Sequence, residues 1–161
     1  MSDTIRIRPA AATDAAQLIQ FISELADYEN RSYEMVADEA SLQQWLFGED
    51  PVAQAVVGEL DGEAVGFALF FRSFSTFLGR PGIYLEDLYV TPDQRGRGVG
   101  GALLSHLAGI CVEHGYGRLD WSVLDWNQPA IRFYENLGAK PQSEWTMYRL
   151  TGQALQRVAE R

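Results

Sequence analysis

Residues 94–101 read Gln94-Arg95-Gly96-Arg97-Gly98-Val99-Gly100-Gly101, four glycines and two arginines in eight positions. Glycine lets backbone approach a bulky anion with no Cβ in the way, and a helix starting there offers unpaired N–H groups at its positive end. Before this segment, Ile83–Val90 has strand character. After it, from about Gly98, Leu103, Leu104, Leu107, Ile110 and Cys111 fall at helical spacing as far as His114-Gly115. Strand, glycine turn and helix in that order suit the binding of phosphate, and Arg95 and Arg97 supply the densest positive charge in the chain. Gly96 to Gly101 also spells G-x-G-x-x-G, with Asp120 nineteen residues on, as a dinucleotide fold requires. Two features count against that reading: Thr91–Arg95 separates the glycines from their strand, and the 60 residues after Gly101 are too few for the remaining βαβ units. A Walker-type loop fails outright, since no lysine follows the glycines.

The second concentration of chemistry is acidic. Residues 24–63 hold eleven acids and one base, Arg31, a net charge of -10, while the whole chain carries -9. Such a field draws in a small cation and repels an anion that lacks its own local site; the plainer reading is a solubilising face. The same balance has the wrong sign for a nucleic-acid backbone or an anionic membrane surface, so neither is expected as a partner. Cys111 is the single cysteine, which allows no internal disulfide and no cysteine-based zinc cage. His106 and His114 lie on the long helix without a carboxylate cluster, so no metal is expected. No stretch approaches the roughly 18 apolar residues of a membrane span, and the sequence opens without a basic leader, pointing to the cytoplasm.

These groups need a frame. With 161 residues, 47% hydrophobic and 22% charged, the chain is expected to fold as one domain over 1–161. Ile5 and Ile7 alternate with Arg6 and Arg8, a short strand; Thr13 or Asp14 then caps a helix to about Tyr28 with Leu18, Ile22 and Leu25 on one stripe. A helix around Ser41–Phe47 precedes Val52–Leu60, the turn Asp61-Gly62 and a run from Ala64 to Phe74, two arms of a hairpin. Arg118–Leu124 is a strand, Asn127-Gln128-Pro129 opens a helix ended by Gly138, and Trp145–Leu150 is a last strand before a short amphipathic tail. Consecutive strands in the middle with helices interposed later predict an α/β fold, a mixed central sheet with helices on both faces.

Arg95-x-x-Gly98-x-Gly100 after a strand, followed by Asn127-x-x-Ala130-x-x-x-Tyr134 on the next helix and Gly138-Ala139, resembles the acetyl-CoA signature of the GNAT N-acetyltransferase superfamily. Leu25-Ala26-Asp27-Tyr28-Glu29, Tyr84 to Val90 and Trp126 to Tyr134 are similar to its spermidine/spermine (diamine) branch, so the resemblance spans almost the whole chain. It implies the GNAT fold, with strands splayed at the acetyl-CoA site.

It also implies roles. Leu88, Tyr89 and Val90 pair with pantetheine, the Leu88 N–H polarises the thioester carbonyl, and Arg95, Gly96, Arg97, Gly98, Val99, Gly100 and Gly101 hold the pyrophosphate. Ala130 belongs to the cofactor motif; Asn127 suits either a pantetheine contact or a helix cap. Tyr134 protonates the departing thiolate, or is a core tyrosine beside Phe133 and Leu137. Glu86 is the candidate base, directly or through water, or else a surface carboxylate; Asp87 is its neighbour pointing the other way. Tyr28, Glu29, Glu86, Asp87, Trp121 and Glu144 are the candidate acceptor contacts. The expected reaction is direct attack of a small diamine, polyamine or lysine-like amine on acetyl-CoA, in a homodimer. The alternatives are a protein amine or aminoglycoside acceptor, or an acetyl-CoA-binding regulatory module without turnover.

Overall fold

The structure is a computed structural model and describes residues 3–161. It divides into two compact units, one running to Ser122 and one comprising Val123–Arg161.

The first unit is built on a five-stranded sheet whose spatial order follows the sequence: β1 (Ile5–Pro9), β2 (Gln54–Leu60), β3 (Glu63–Ser75), β4 (Arg80–Val90) and β5 (Leu119–Trp121). The first four strands are antiparallel and β5 joins β4 in parallel, so the sheet is mixed. Asp61 and Gly62 both have positive φ, +50° and +86°, the tight hairpin turn that the Asp-Gly pair predicts.

Helix α1 (Ala15–Tyr28) packs on one face with α2 (Glu39–Trp45), and α3 (Val99–His114) packs on the other. Period-two alternation sorts the sheet between them. Val57, Phe67, Leu69 and Tyr89 join Leu18 and Phe21 in the core under α1, where the Phe21 and Phe67 rings stack at 5.9 Å. On the other face, a Cβ placed on Gly58 would lie 2.8 Å from Cγ1 of Val99, so this glycine is what lets α3 come so close to β2. The expected apolar stripe of α1 is present: Leu18 is buried, Ile22 and Leu25 pack partly buried against the same core, and Phe21 joins Leu18 as a second deep anchor. Asp14 also departs from expectation. It occupies the N-cap position, but its carboxylate takes Arg8 at 2.8 and 3.0 Å and the Ala11 amide at 2.7 Å, because a guanidinium within reach outcompetes the helix amides.

In the second unit, α4 (Gln128–Asn136) is opened by Asn127 and followed by Gly138 at φ +94°, and α5 (Gly152–Ala159) is the amphipathic tail. The expected last strand, Trp145–Leu150, is not one: the segment forms no ladder among the described residues, and Trp145, Met147 and Tyr148 are exposed. An alternating pattern marks a chain that could pair, but a strand exists only where a neighbouring edge supplies its hydrogen bonds. No described helix is long and apolar enough to cross a membrane.

Candidate active site

Strand β4 carries two irregularities that generate the site. It pairs with β5 only through Ile83, Tyr84 and Leu85, and from there to Val90 it is paired with β3 alone. Thr91 donates its amide to the Val65 carbonyl at 2.8 Å. Hydrogen-bonded and non-hydrogen-bonded pairs alternate along an antiparallel ladder, so the N–H and C=O groups of Leu88 and Val90 turn from β3 toward the edge that β5 leaves uncovered. The predicted splay is therefore present, and Leu88 is where its amide is open.

The second irregularity is a bulge. Leu69 pairs with Asp87 and the next residue of β3, Phe70, pairs with Leu85, leaving Glu86 as the extra residue. A bulge breaks the two-residue alternation, so Leu85 and Asp87 face opposite sides. Leu85 is buried, whereas Asp87 lies on the α1 face and Glu86 is exposed.

Beyond β4, the glycine loop has the predicted form. Gly96 and Gly98 are left-handed at φ +78° and +94°, and α3 begins at Val99 with no side-chain cap. The amides of its first turn have no carbonyl within the helix to accept them. A Cβ on Gly96 or Gly101 would meet nothing within 4 Å, so the loop is an open cradle that fits a pyrophosphate. The arginines differ from the simplest expectation. Arg97 grips Asp3 through Nε at 2.8 Å and Nη2 at 2.6 Å, which holds the Asp3 carboxyl below its usual range. Arg95 donates from Nε to the Val90 carbonyl at 2.9 Å and sits between the rings of Tyr28 and Tyr89, 5.1 and 5.7 Å from their centroids. The Tyr89 hydroxyl donates to Glu24 at 2.8 Å; burial and that carboxylate push its ionisation up to about 12.

On the α1 face of β4 lies a cavity of about 360 Å³ lined by Ile22, Leu25, Glu29, Arg31, Glu34 and Asp87, among others. Burial raises the Asp87 carboxyl to about 6, helped by the charges of Glu86 and Glu29; burial also raises Glu29, against the pull of Arg31. Two of the expected acceptor residues, Glu29 and Asp87, thus share one cavity. Tyr28, at the end of α1, stacks with Arg95, and Trp121 is half-buried on β5. Beside Trp121, Asp120 pairs with Arg118 at 2.8 Å and Ser122 shares a 2.8 Å hydrogen bond with Tyr84.

In the second unit, Asn127 is buried and its side chain accepts the Ala130 amide at 3.5 Å, so the capping role is the one seen. Tyr134 is half-buried on α4, its ring 5.7 Å from that of Phe133, while Glu144 is exposed beyond the helix. Arg31 and Glu34 are lining residues that sequence reasoning did not assign. The available signal was that Arg31 is the single base in the acidic window.

The profile of the Acetyltransferase (GNAT) family matches residues 18–139. The thialysine N-epsilon-acetyltransferase of Mus musculus is 35% identical over 167 residues, covering 97% of this chain and 98% of that protein. The L-ornithine N5-acetyltransferase of Arabidopsis thaliana is 31% identical, covering 95% and 87%. Among solved structures, an integron cassette protein from the mobile metagenome of V. cholerae superposes with a TM-score of 0.81 at 28% identity, covering 100% of this chain and 99% of the other.

Proposed function

Since the chain belongs to the GNAT family of acetyltransferases, we propose that it transfers acetyl from acetyl-CoA to the primary amine of a small diamine, polyamine or lysine-like molecule. The observation that carries the reading is a juxtaposition on β4: Asp87 lines an acidic cavity, and Leu88, the next residue, opens its amide on the splayed edge. A cation-attracting pocket and a donor for a thioester carbonyl stand one residue apart. The thialysine and ornithine enzymes among its relatives support an acceptor of this size and charge.

In this reading the Gly96–Gly101 cradle, with Arg95 and Arg97 flanking it, holds the pyrophosphate, while the open groups of Leu88 and the Val90 amide pair with the pantetheine arm, the Val90 carbonyl being held by Arg95. Asn127 caps α4 through the Ala130 amide, and Ala130 belongs to the same cofactor motif. Acetyl-CoA supplies the activated acyl group. The Leu88 N–H meets negative charge as it develops on the carbonyl oxygen, a fixed donor of a kind worth about 3 kcal/mol of barrier.

An alkyl ammonium with a pKa near 10.4 leaves about one amine in a thousand free at neutral pH, so a proton acceptor is needed. Glu86, exposed at the bulge, takes it directly or through a water. A specific observation favours Asp87 as a second acceptor, because its carboxyl titrates at about 6, close to working pH. Tyr134 returns a proton to the leaving thiolate, and Tyr28, Glu29, Trp121 and Glu144 complete the acceptor contacts.

We read residues 1–161 as one GNAT domain, supported by a family match that runs from α1 past α4. The exposed apolar Trp145–Leu150 segment supports a homodimer in which it pairs with a second copy; sedimentation at micromolar concentration showing an 18 kDa species alone would exclude this. The buried free Cys111 fits the reducing cytoplasm. The test of the activity is acetyl-CoA consumption across a panel of monoamines, diamines and amino acids. A dication should exceed a monoamine of equal length at low salt, with the advantage shrinking as salt screens the carboxylates. Equal kcat/KM for both would remove the electrostatic account.

A further inference from the structure

We propose that Arg31 reads a carboxylate on the acceptor, so that the site prefers an α-amino acid whose side chain ends in a primary amine over the diamine lacking that carboxylate. The inference rests on reading the cavity beside Asp87 as the acceptor site.

That cavity carries both signs of charge. Glu29, Glu34 and Asp87 face it with one guanidinium, Arg31, and α1 adds the apolar side chains of Ile22 and Leu25. Backbone geometry puts Arg31 there. Two residues past the end of α1, Asn30 lies in the left-handed region, φ +60°, where asparagine is among the few residues tolerated. The Asn30 amide donates to Asp27 at 3.1 Å and the Arg31 amide to Ala26 at 2.8 Å, turning the chain sharply off the helix. The Arg31 side chain remains nearly half exposed, and its Nη1 donates to Glu34 at 3.2 Å. A guanidinium has five N–H groups in a rigid fork, so donors remain for a second carboxylate.

The charges select the ligand. A diamine brings two ammonium groups to three carboxylates, but it offers Arg31 nothing and places a like charge in the same small volume. A lysine-type acceptor brings two ammonium groups to the carboxylates and one carboxylate to Arg31, so both signs of charge on the wall find a partner, and its methylenes suit Ile22 and Leu25. Arg31 and Glu34 then compete: the acceptor carboxylate takes the place of Glu34 on the guanidinium.

The experiment compares kcat/KM, at saturating acetyl-CoA, for L-lysine against cadaverine and L-ornithine against putrescine, pairs that differ only by the carboxylate. The wild-type protein should favour the amino acid by about tenfold or more, as expected for one charge-assisted contact. Arg31→Ala should bring both ratios to about one, raising KM for the amino acid and improving the diamine. Arg31→Lys should keep part of the preference, since it retains charge without the fork. Glu34→Gln should increase it by removing the competitor. Ratios of one or below in the wild type, or ratios unmoved in Arg31→Ala while diamines are still acetylated, would overturn the role of Arg31 and leave the acceptor cavity standing. No acetylation of any of the four amines would overturn the cavity's assignment and this inference with it.

Discussion

The guanidinium of Arg95 lies 5.1 Å from the centre of the Tyr28 ring while its Nε holds the Val90 carbonyl at 2.9 Å. One side chain thereby joins the start of the glycine loop, the open end of β4 and the C-terminus of α1. The residue that sequence reasoning placed with the cofactor is bound to a residue that it placed with the acceptor.

This contact predicts coupling. Tyr28→Leu should weaken CoA binding several-fold by calorimetry, although Tyr28 belongs to α1 and not to the glycine loop, because Arg95 loses a cation–π contact worth about 0.5–2 kcal/mol. Tyr28→Phe keeps the ring and should bind CoA nearly as wild type. Equal CoA affinity in all three proteins would show that the stacking does not position the loop.

Gly98 has φ +94°, with Cδ1 of Ile5 3.4 Å from the position a Cβ would take. Gly98→Val should abolish measurable CoA binding, since a β-branched residue resists the left-handed region and would re-aim the first amides of α3. As a control, Gly109→Ala lies inside α3 with nothing within 4 Å of the added methyl. It should raise stability by about 0.5–1 kcal/mol in urea unfolding and leave CoA affinity untouched.

Tyr134→Phe removes only a hydroxyl. If Tyr134 is the general acid, the variant should hold CoA with wild-type affinity and lose about 100-fold or more in turnover. Single-turnover measurements decide the matter, because they isolate the chemical step from product release.

Asp87, raised to about 6, should set the acid limb of the kcat/KM profile, with activity falling as pH drops below that value. Glu29→Gln or Glu86→Gln removes a like charge, so the limb should move to lower pH. Stability runs the other way. A carboxyl whose folded value lies above its unfolded value binds its proton more tightly when folded, so its contribution is full below about pH 4 and is lost as pH rises through 6. Asp87→Asn should therefore raise Tm at pH 7.5, by the equivalent of up to about 3 kcal/mol, and change it little at pH 3.5. No difference between the two pH values would mean that Asp87 is better solvated than its surroundings imply.

Residues close together in the chain made much of this protein legible from sequence. Asp61-Gly62 names its own hairpin because positive φ is a local property, and Gly96 to Gly101 names an anion cradle because a strand, a turn and a helix N-terminus are contiguous. The spacing from Arg95 to Gly100 and from Asn127 to Tyr134 carried the family for the same reason. Trp145–Leu150 shows where local pattern stops: alternation makes a strand possible, but the partner edge that makes it real lies elsewhere. Tertiary structure alone decided which carboxylate is perturbed. Glu86 and Asp87 are adjacent and chemically alike, and it takes the missing register step opposite Leu69 and Phe70 to leave one exposed and turn the other into the cavity under α1. Arg31 joins them there through a backbone reversal at Asn30, and Arg95 meets Tyr28 across 67 residues of chain. Burial and charge proximity depend on distance in space, which no spacing along a sequence encodes.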